Sequence, residues 1–235
     1  MIAHLFAHPA AGVIASLALT VACYAAALAL HRRWPRLPPI VVACLPIVAI
    51  LLLLHQPYSA YNRGGYLLTW WLGPATVALA VPMYRNGLAL RRSLPRLAIV
   101  VLAGAFVGMI SAGGTAWLLG APMPIVMSTI PKSVTTPIAI EVCQQLHGIS
   151  QITIALVILA GVFGASFGPF LLRLAGVRAD RAIGAAIGSA SHGIGTASLV
   201  RRSDLQAAVS SWAMAACGVF TSLLAAILAL FLRWH

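Results

Sequence analysis

Two ionisable side chains that each occur only once in the chain lie close together within a strongly apolar stretch. Lys132 is the only lysine and Glu141 the only glutamate, and both fall within residues 123–143, which are otherwise mostly apolar. The residues between them include two prolines and three hydroxyl side chains: Pro131, Ser133, Thr135, Thr136 and Pro137. Ionisable groups are expensive in lipid, and where they occur they usually serve a functional site. The composition therefore predicts a broken helix that carries a polar site in mid-membrane.

The chemistry of this segment favours a small anion. Pro131 and Pro137 prevent a continuous helix, and the residue before the second proline, Thr136, is expected to be extended. A break frees backbone N–H groups, and the helix end that follows it carries a partial positive charge. Together with the Lys132 ammonium group and the neighbouring hydroxyls, these groups predict a carboxylate site. The alternative is that Lys132 extends to the membrane interface while the hydroxyls cap helix ends.

A second polar segment, His192-Gly-Ile-Gly-Thr196, lies in a later apolar run. Gly193 and Gly195 permit backbone conformations that other residues avoid, so they are predicted to break the helix there. The histidine and threonine of this segment are expected to join the same polar site as Lys132. The alternative for a lone histidine in a membrane is a hydrogen bond between two helices.

A third break is predicted at Gly73-Pro74, because proline removes a backbone donor and clashes with the preceding turn. We expect the three broken segments to meet near mid-membrane. The predicted substrate-binding residues are therefore Gly73, Pro74, Lys132, Ser133, Thr135, Thr136, His192, Gly193, Gly195 and Thr196. Glu141 and His192 are the candidates for coupling transport to protons, although Glu141 at a membrane interface is an equal alternative.

The composition indicates an all-α polytopic membrane protein in a single integral membrane transport domain, residues 1–235. Hydrophobic residues make up 61% of the chain and charged residues only 8%, whereas soluble domains carry about 25% charged residues. The net charge is +12, but the arginines cluster at the ends of apolar runs, as in a multi-pass protein of the plasma (bacterial inner) membrane that meets anionic lipid heads. This pattern is not that of a nucleic-acid-binding protein.

The apolar runs predict about 7–8 transmembrane helices with broken or re-entrant segments. Spans are expected at about 10–30, 40–54, 66–84, 97–119, 149–174, 181–200 and 205–232, and residues 55–65 are expected to form a polar loop. The basic segments His31–Arg36 and Arg85–Arg96 predict the cytoplasmic side for the loops they occupy. Gly104 and Gly108, and likewise Gly184 and Gly188, form faces suited to close helix packing.

Two topologies remain open for residues 121–146. If this element crosses the membrane, Arg173–Arg181 lies outside and Arg201–Arg202 inside; if it turns back near Lys132, the two assignments swap. The second alternative would make spans six to eight an inverted repeat of spans two to four, with Gly73-Pro74 corresponding to the Gly193/Gly195 break.

The residue types argue against an enzyme. The only carboxylates are Glu141, Asp180 and Asp204, and no serine has an evident base and orienting group. His192 has no second ligand at metal-binding spacing, and its glycines do not form a dinucleotide fingerprint. We expect no metal and no cofactor.

Three motifs together resemble the LrgB/CidB family of holin- and antiholin-like membrane proteins, which is related to the chloroplast glycolate/glycerate transporter. They are Leu72–Tyr84, Pro131–Ala139 and Ser191–Ala197, and they agree with the family in order and spacing. The chain is similar to the stand-alone LrgB-type protein, without the LrgA-like region that precedes it in the chloroplast transporter.

The resemblance implies two functions of different classes. One is transport of small carboxylates such as glycolate, glycerate, pyruvate or lactate. The other is a holin- or antiholin-like modulation of murein hydrolase export and cell lysis, in which a small LrgA/CidA-like membrane protein is an expected partner. The unique lysine in a broken helix favours the carrier, since a pore formed by oligomerising spans has little use for it. A homo-oligomer, with a dimer as the simplest case, is expected by analogy with carriers of this general kind.

Overall fold

The structure is a computed structural model that describes residues 9–34 and 39–232. Within these ranges all regular secondary structure is helical, which confirms the predicted all-α class. Pro35 and Arg36 of the predicted basic segment lie outside the described residues. The chain forms two compact units, Met1–Val77 and Ala78–His235.

The first unit contains two long helices and two shorter ones. Tyr61 and Thr20 join the first and third of them through a hydroxyl–hydroxyl hydrogen bond of 2.7 Å. Residues 58–65, predicted as loop, are already helical. The helices are α1 (Pro9–Arg33), α2 (Pro39–Leu53), α3 (Tyr58–Trp70) and α4 (Leu72–Ala78), and the last of these reaches the boundary of the unit. Trp71 separates α3 from α4 just before Gly73-Pro74, but its dihedral angles stay helical at φ −71° and ψ −10°. The break at Gly73-Pro74 therefore stays a prediction.

The second unit contains three long helices, and each is followed or preceded by shorter segments. Its elements are α5 (Ala80–Arg85), α6 (Gly87–Arg91), α7 (Leu94–Leu118), α8 (Met123–Thr129), α9 (Thr136–Gln145), α10 (Ser150–Leu174), α11 (Asp180–Leu199) and α12 (Asp204–Leu232). Helices α7 and α12 run parallel: Leu97 packs near Ala208, and Met109 packs near Ala225.

Helices α8 and α9 form a hairpin, because the chain reverses direction between them. The backbone N–H of Ile149 donates to Ser128 Oγ at 2.7 Å, and Thr153 Oγ1 donates to the carbonyl oxygen of Ser128 at 2.9 Å. The residues after α9 therefore return to the level of the last turn of α8. We call this element, residues 123–145, hairpin one, and its reversal lies at residues 130–135.

Helix α11 also turns back on itself. A straight helix of 20 residues would be about 30 Å long, yet Leu199 at its end packs with Ile183 near its start, and the residues that follow it reach Asp180. Asp180, the first residue, accepts hydrogen bonds from Ser203 Oγ at 3.3 Å and Gln206 Nε2 at 2.7 Å. The helical dihedral angles are interrupted at His192, which has φ 39° and ψ −140°. We call residues 180–199 hairpin two, with its reversal at His192.

This reversal differs from the predicted break in two ways. The non-helical residue is His192 itself rather than Gly193 or Gly195, since the glycines with positive φ among the described residues are Gly120 and Gly176. Residues 181–200, predicted as a span, also do not run straight from end to end. Leu199 instead packs with Ile183 and Ile187 of the opposite arm.

Nine arginines among the described residues of the second unit gather at one end of it. Asp180 joins the starts of α11 and α12, and the side chain of Asn86 donates to the Asp204 carbonyl oxygen at 3.5 Å. The loops and helix termini at this end carry Arg85, Arg91, Arg92, Arg96, Arg173, Arg178, Arg181, Arg201 and Arg202. The loops at the opposite end, residues 119–122 and 146–149, carry no arginine or lysine. This arrangement differs from both predicted alternatives, each of which separated Arg173–Arg181 from Arg201–Arg202, because two hairpins rather than one reverse the chain.

Five helical stretches in the described residues are long and apolar enough to cross a membrane, fewer than the 7–8 expected. They are Ala11–Arg33, Tyr58–Arg85, Leu94–Leu118, Ser150–Leu174 and Asp204–Phe231, and a shorter apolar helix occupies Pro39–Leu53. Neither hairpin contributes a straight span. The chain is a multi-pass membrane protein.

Candidate functional site

At the reversal of hairpin one, the apolar residue Val134 packs into the core while the charged residue Lys132 stays half-buried. Val134 is 1% exposed and belongs to a core cluster with Val101, Val157 and Cys217, so it anchors the loop against α7, α10 and α12. Lys132, two residues earlier, is half-buried, and its Nζ donates to Ser133 Oγ at 3.3 Å. The packing of Val134 thus fixes the position of the loop and, with it, that of the only lysine.

The start of α9 explains how two prolines fit into this short segment. Thr135 is extended, with φ −63° and ψ 146°, and α9 begins at Thr136. Pro137 therefore occupies the first turn of a helix, where its missing N–H leaves no hydrogen bond unmade. The extended residue is thus Thr135, one residue earlier than predicted. Thr135 and Thr136 are both half-buried at this helix end.

The reversal of hairpin two depends on a histidine with an unusual backbone. A positive φ strains any residue other than glycine, at a cost of about 1–3 kcal/mol. His192 is 4% exposed, and its Nε2 lies 2.9 Å from the carbonyl oxygen of Val157 on α10. A Cβ on Gly161 of α10 would lie 2.7 Å from His192 Cε1, so only glycine leaves room for the ring there. The sequence analysis gave such a hydrogen bond between two helices as the alternative to a place for this histidine in the polar site.

Thr196 stabilises the same reversal through two hydrogen bonds of its hydroxyl group. It is fully buried, its hydroxyl donates to the His192 carbonyl oxygen at 2.8 Å, and it shares a hydrogen bond of 2.8 Å with Ser210 Oγ of α12. Both hydrogen bonds join protein groups, so the hydroxyl already has partners in the interior. Gly195 packs within the hairpin, where an added Cβ would lie 2.5 Å from Ser191 Cβ, whereas the nearest neighbour at Gly193 is Met214 Sδ at 3.8 Å.

The two reversals border one cavity. Its volume is about 610 Å³, and it is lined by Lys132 from hairpin one, by Ala190 and Ser191 from hairpin two, and by α10. Of the residues lining it, all of which are described, Lys132 is the only charged one. The small-residue face of α7 lies behind the reversals: a Cβ on Gly104 would be 3.8 Å from Ser189 Oγ, and one on Gly108 would be 3.9 Å from Ser133 Oγ. Lys132 is the one predicted binding residue that lines this cavity. The others of the two segments do not line it, and their part in a substrate site stays a prediction: Ser133, Thr135, Thr136, His192, Gly193, Gly195 and Thr196.

The remaining predicted residues lie elsewhere. Gly73 and Pro74 belong to the first unit and are exposed there, so their part in the site stays a prediction. Glu141 is exposed on α9, on a different face from the buried Val142 and Cys143. Its role in proton coupling also stays a prediction.

The sequence placed Ser191 beside His192, but the predicted binding residues included neither Ser191 nor the wall that α10 provides. Ser191 is 2% exposed and lies against Gly164 of α10, so close that a Cβ there would collide with it. The glycines at positions 161, 164 and 168 recur at helical spacing and were the available signal, because such a stripe marks a face to which another backbone comes close.

Comparison with known proteins agrees with the motifs. The LrgB-like family matches residues 20–231. The chain is 37% identical over 207 residues to the uncharacterized protein YxaC of Bacillus subtilis (strain 168), covering 87% of this chain and 90% of that protein. It is 30% identical over 214 residues to the holin-like protein CidB of Staphylococcus aureus (strain Mu50 / ATCC 700699), covering 90% and 93%.

A second Bacillus subtilis (strain 168) protein, the uncharacterized protein YwbG, is 35% identical over 210 residues and covers 88% of this chain and 93% of its own length. No solved structure matches the chain. The helical architecture with several apolar spans, the two polar reversals and the matches over nearly the whole length lead to one conclusion: the chain belongs to the LrgB-like family.

Proposed function

We propose that the chain carries small carboxylate anions, of the glycolate, glycerate, pyruvate and lactate class, across the membrane by alternating access. The observation that carries this proposal is the position of Lys132. It lies at the reversal of one hairpin and borders a cavity that the reversal of the other hairpin also borders. A half-buried cation beside a mostly apolar wall attracts a carboxylate more strongly than a fully exposed one, because burial lowers the effective dielectric constant around it.

The two hairpins give this proposal a mechanism. We infer that both are re-entrant: hairpin one enters from the end that carries residues 119–122 and 146–149, and hairpin two from the arginine-rich end. Each hairpin follows a long helix, α7 or α10, and these helices run in opposite directions. Helix α7 with hairpin one and helix α10 with hairpin two therefore form an inverted repeat. In this repeat hairpin one, rather than the Gly73-Pro74 break suggested by the sequence, corresponds to hairpin two. Inverted repeats that meet at a central site are common in secondary transporters.

The same inference predicts the sidedness of the loops. Because arginine-rich loops remain in the cytoplasm, both Ala179 and Arg201 should face inward, whereas Leu119 should face outward. Each position is exposed, so a cysteine placed there can react. In a background without the four native cysteines, a membrane-impermeant thiol reagent should label Leu119→Cys in intact cells, and Ala179→Cys and Arg201→Cys only after permeabilisation. Labelling of Ala179→Cys from outside would instead support the alternative topology, in which residues 121–146 cross the membrane.

The second candidate function is a holin- or antiholin-like modulation of murein hydrolase export and cell lysis. It is favoured by the relatives that are named holin-like protein CidB. The names of the relatives support this candidate better than carboxylate transport, which is supported by the geometry of the lysine site. An LrgA/CidA-like partner belongs to this second candidate, while contact with membrane lipids and a homodimeric assembly are compatible with both.

One experiment separates the two functions. Purified protein in liposomes should take up labelled pyruvate, lactate or glycolate faster than protein-free liposomes, and it should retain an entrapped dye of several hundred daltons. Uptake that saturates and is competed by unlabelled carboxylate supports the carrier. Release of the dye without saturable uptake would instead support the holin-like function. Repeating the assay with a co-purified LrgA-type protein tests whether a partner is required.

A further inference from the structure

The side of α7 that meets both reversals differs from the rest of that helix. It carries two glycines, one serine and one threonine, which fall within about 60° of one another at 3.6 residues per turn. All four are exposed or half-buried, and we call them the α7 hydroxyl face: Gly104, Gly108, Ser111 and Thr115. Between Gly104 and Leu118, large apolar side chains occupy every other exposed position: Phe106, Val107, Ile110, Trp117 and Leu118.

The inner end of the α7 hydroxyl face lies beside the proposed anion site. A Cβ on Gly108 would lie 3.9 Å from Ser133 Oγ, and Ser133 Oγ accepts a hydrogen bond of 3.3 Å from Lys132 Nζ. One turn earlier, a Cβ on Gly104 would lie 3.8 Å from Ser189 Oγ of hairpin two. Because neither glycine has a side chain, α7 leaves room in front of both hydroxyl groups.

The outer end of the face reaches a loop without arginine or lysine. The carbonyl oxygen of Thr115 accepts a hydrogen bond of 3.1 Å from the N–H of Leu119, the first residue of that loop. Toward the arginine-rich end the face stops, because the next exposed residue on this side of α7 is Val100. The small and hydroxyl residues therefore extend from the reversals toward one end of the unit.

The hydroxyl groups of this face are better solvated by water than by lipid. Ser111 Oγ donates to the Gly108 carbonyl oxygen at 3.2 Å, whereas Thr115 Oγ1 makes no hydrogen bond with any described residue. A hydroxyl group without a partner costs free energy in an apolar medium. Water beside Thr115 removes this cost.

We propose that the α7 hydroxyl face lines the aqueous route by which a carboxylate reaches Lys132 from the side of residues 119–122. The inference rests on the proposed carboxylate function and adds to its site the path that leads there. The hydroxyls of Ser111 and Ser133 offer hydrogen bonds to the passing anion and to any hydroxyl group that it carries. The ammonium group of Lys132 marks the inner end of the route.

Paired single-cysteine variants test whether water reaches this face. Ser111→Cys is compared with Ile110→Cys, its neighbour at nearly the same depth but on the apolar side of α7. Full-length variants without the four native cysteines are reconstituted in liposomes and treated with small, charged methanethiosulfonate reagents. We expect Ser111→Cys, and likewise Thr115→Cys, to react at least about tenfold faster than Ile110→Cys, because only a hydrated thiol ionises to the reactive thiolate.

The sign of the reagent charge tests whether the route ends at Lys132. At Gly108→Cys an anionic reagent should be favoured over a cationic one by about threefold or more, relative to their ratio on a free thiol, and Lys132→Met should remove this preference. Thr115→Cys lies about 10 Å farther along the helix, beyond a Debye length, so its preference should be smaller. Thermal unfolding verifies the fold of each variant, and Ser111→Cys replaces Gly108→Cys if the latter does not fold.

The remaining outcomes separate the route from the function. Equal labelling of Ser111→Cys and Ile110→Cys, whether fast or slow, overturns the route. If carboxylate uptake by the wild-type chain nevertheless saturates and depends on Lys132, the proposed function stands and the anion reaches the lysine elsewhere. Labelling of the α7 hydroxyl face without any carboxylate uptake overturns the proposed function and, with it, a carboxylate route. A charge preference that persists in Lys132→Met contradicts an end of the route at this lysine.

Discussion

Lys132→Met is expected to weaken binding of a small carboxylate by about 10- to 150-fold while the protein remains folded. A hydrogen bond to a charged group contributes about 1.5–3 kcal/mol, and each 1.36 kcal/mol corresponds to a factor of ten. Methionine has a similar length and no charge, and the loop is anchored by the buried Val134 rather than by the lysine. Titration calorimetry gives the affinity, and thermal unfolding verifies the fold.

Lys132→Arg is the matched control for charge. It keeps the positive charge but replaces a compact ammonium with a planar guanidinium, so its affinity should lie between those of the wild type and Lys132→Met. Wild-type affinity in a folded Lys132→Met variant would exclude a substrate role for the lysine. It would favour the alternative in which Lys132 only extends toward an interface.

Gly188→Ala is expected to be the most destabilising small substitution in hairpin two. A Cβ at this position would collide with the Ser210 carbonyl oxygen and would lie 2.9 Å from Ser210 Cα. Both atoms belong to the backbone of α12, so no rotamer change can relieve the overlap, and the two helices must separate. Overpacking of this kind costs about 1–3 kcal/mol or more. At about 2–4 °C per kcal/mol for a chain of this size, the melting temperature should fall by at least several degrees.

Gly193→Ala provides the comparison on the same hairpin. The nearest atom to its added Cβ is Met214 Sδ at 3.8 Å, an ordinary contact, and its φ is not positive. Its melting temperature should stay within about 2 °C of the wild type. Equal destabilisation by the two alanines would mean that general helix properties, rather than the close approach to α12, determine the stability of this hairpin.

The positions of most helices and of the polar breaks could be predicted from the sequence, because they have local causes. Long apolar runs bounded by arginines mark α7, α10 and α12, and two prolines around Lys132 make an interruption unavoidable. Lys132, the charged side chain of this interruption, lies at one side of the cavity, whereas the hydroxyl side chains beside it do not line the cavity. These features depend on neighbours in sequence, which is the information that a single sequence contains.

The reversal of hairpin two could not be predicted in the same way. Twenty residues of small and apolar type fit a membrane span, and the glycines at 193 and 195 pointed to the wrong residues for the break. The chain turns at His192 because its ring binds the Val157 carbonyl oxygen and fits against Gly161 of α10. These partners lie more than 30 residues away in sequence, so no local pattern reveals them. Ser191 was missed for the same reason.

The gathering of nine arginines at one end has a kinetic consequence for a carrier of anions. Positive side chains raise the local concentration of anions around them and accelerate their approach, within a Debye length of about 8 Å at physiological ionic strength. A carboxylate that reaches the cavity past hairpin two meets this potential, whereas one that arrives past hairpin one meets loops without lysine or arginine. In the proposed carrier, the two hairpins would therefore lead to one site through unequal electrostatic fields. We expect the half-saturating concentration on the arginine-rich side to be more sensitive to salt than that on the opposite side.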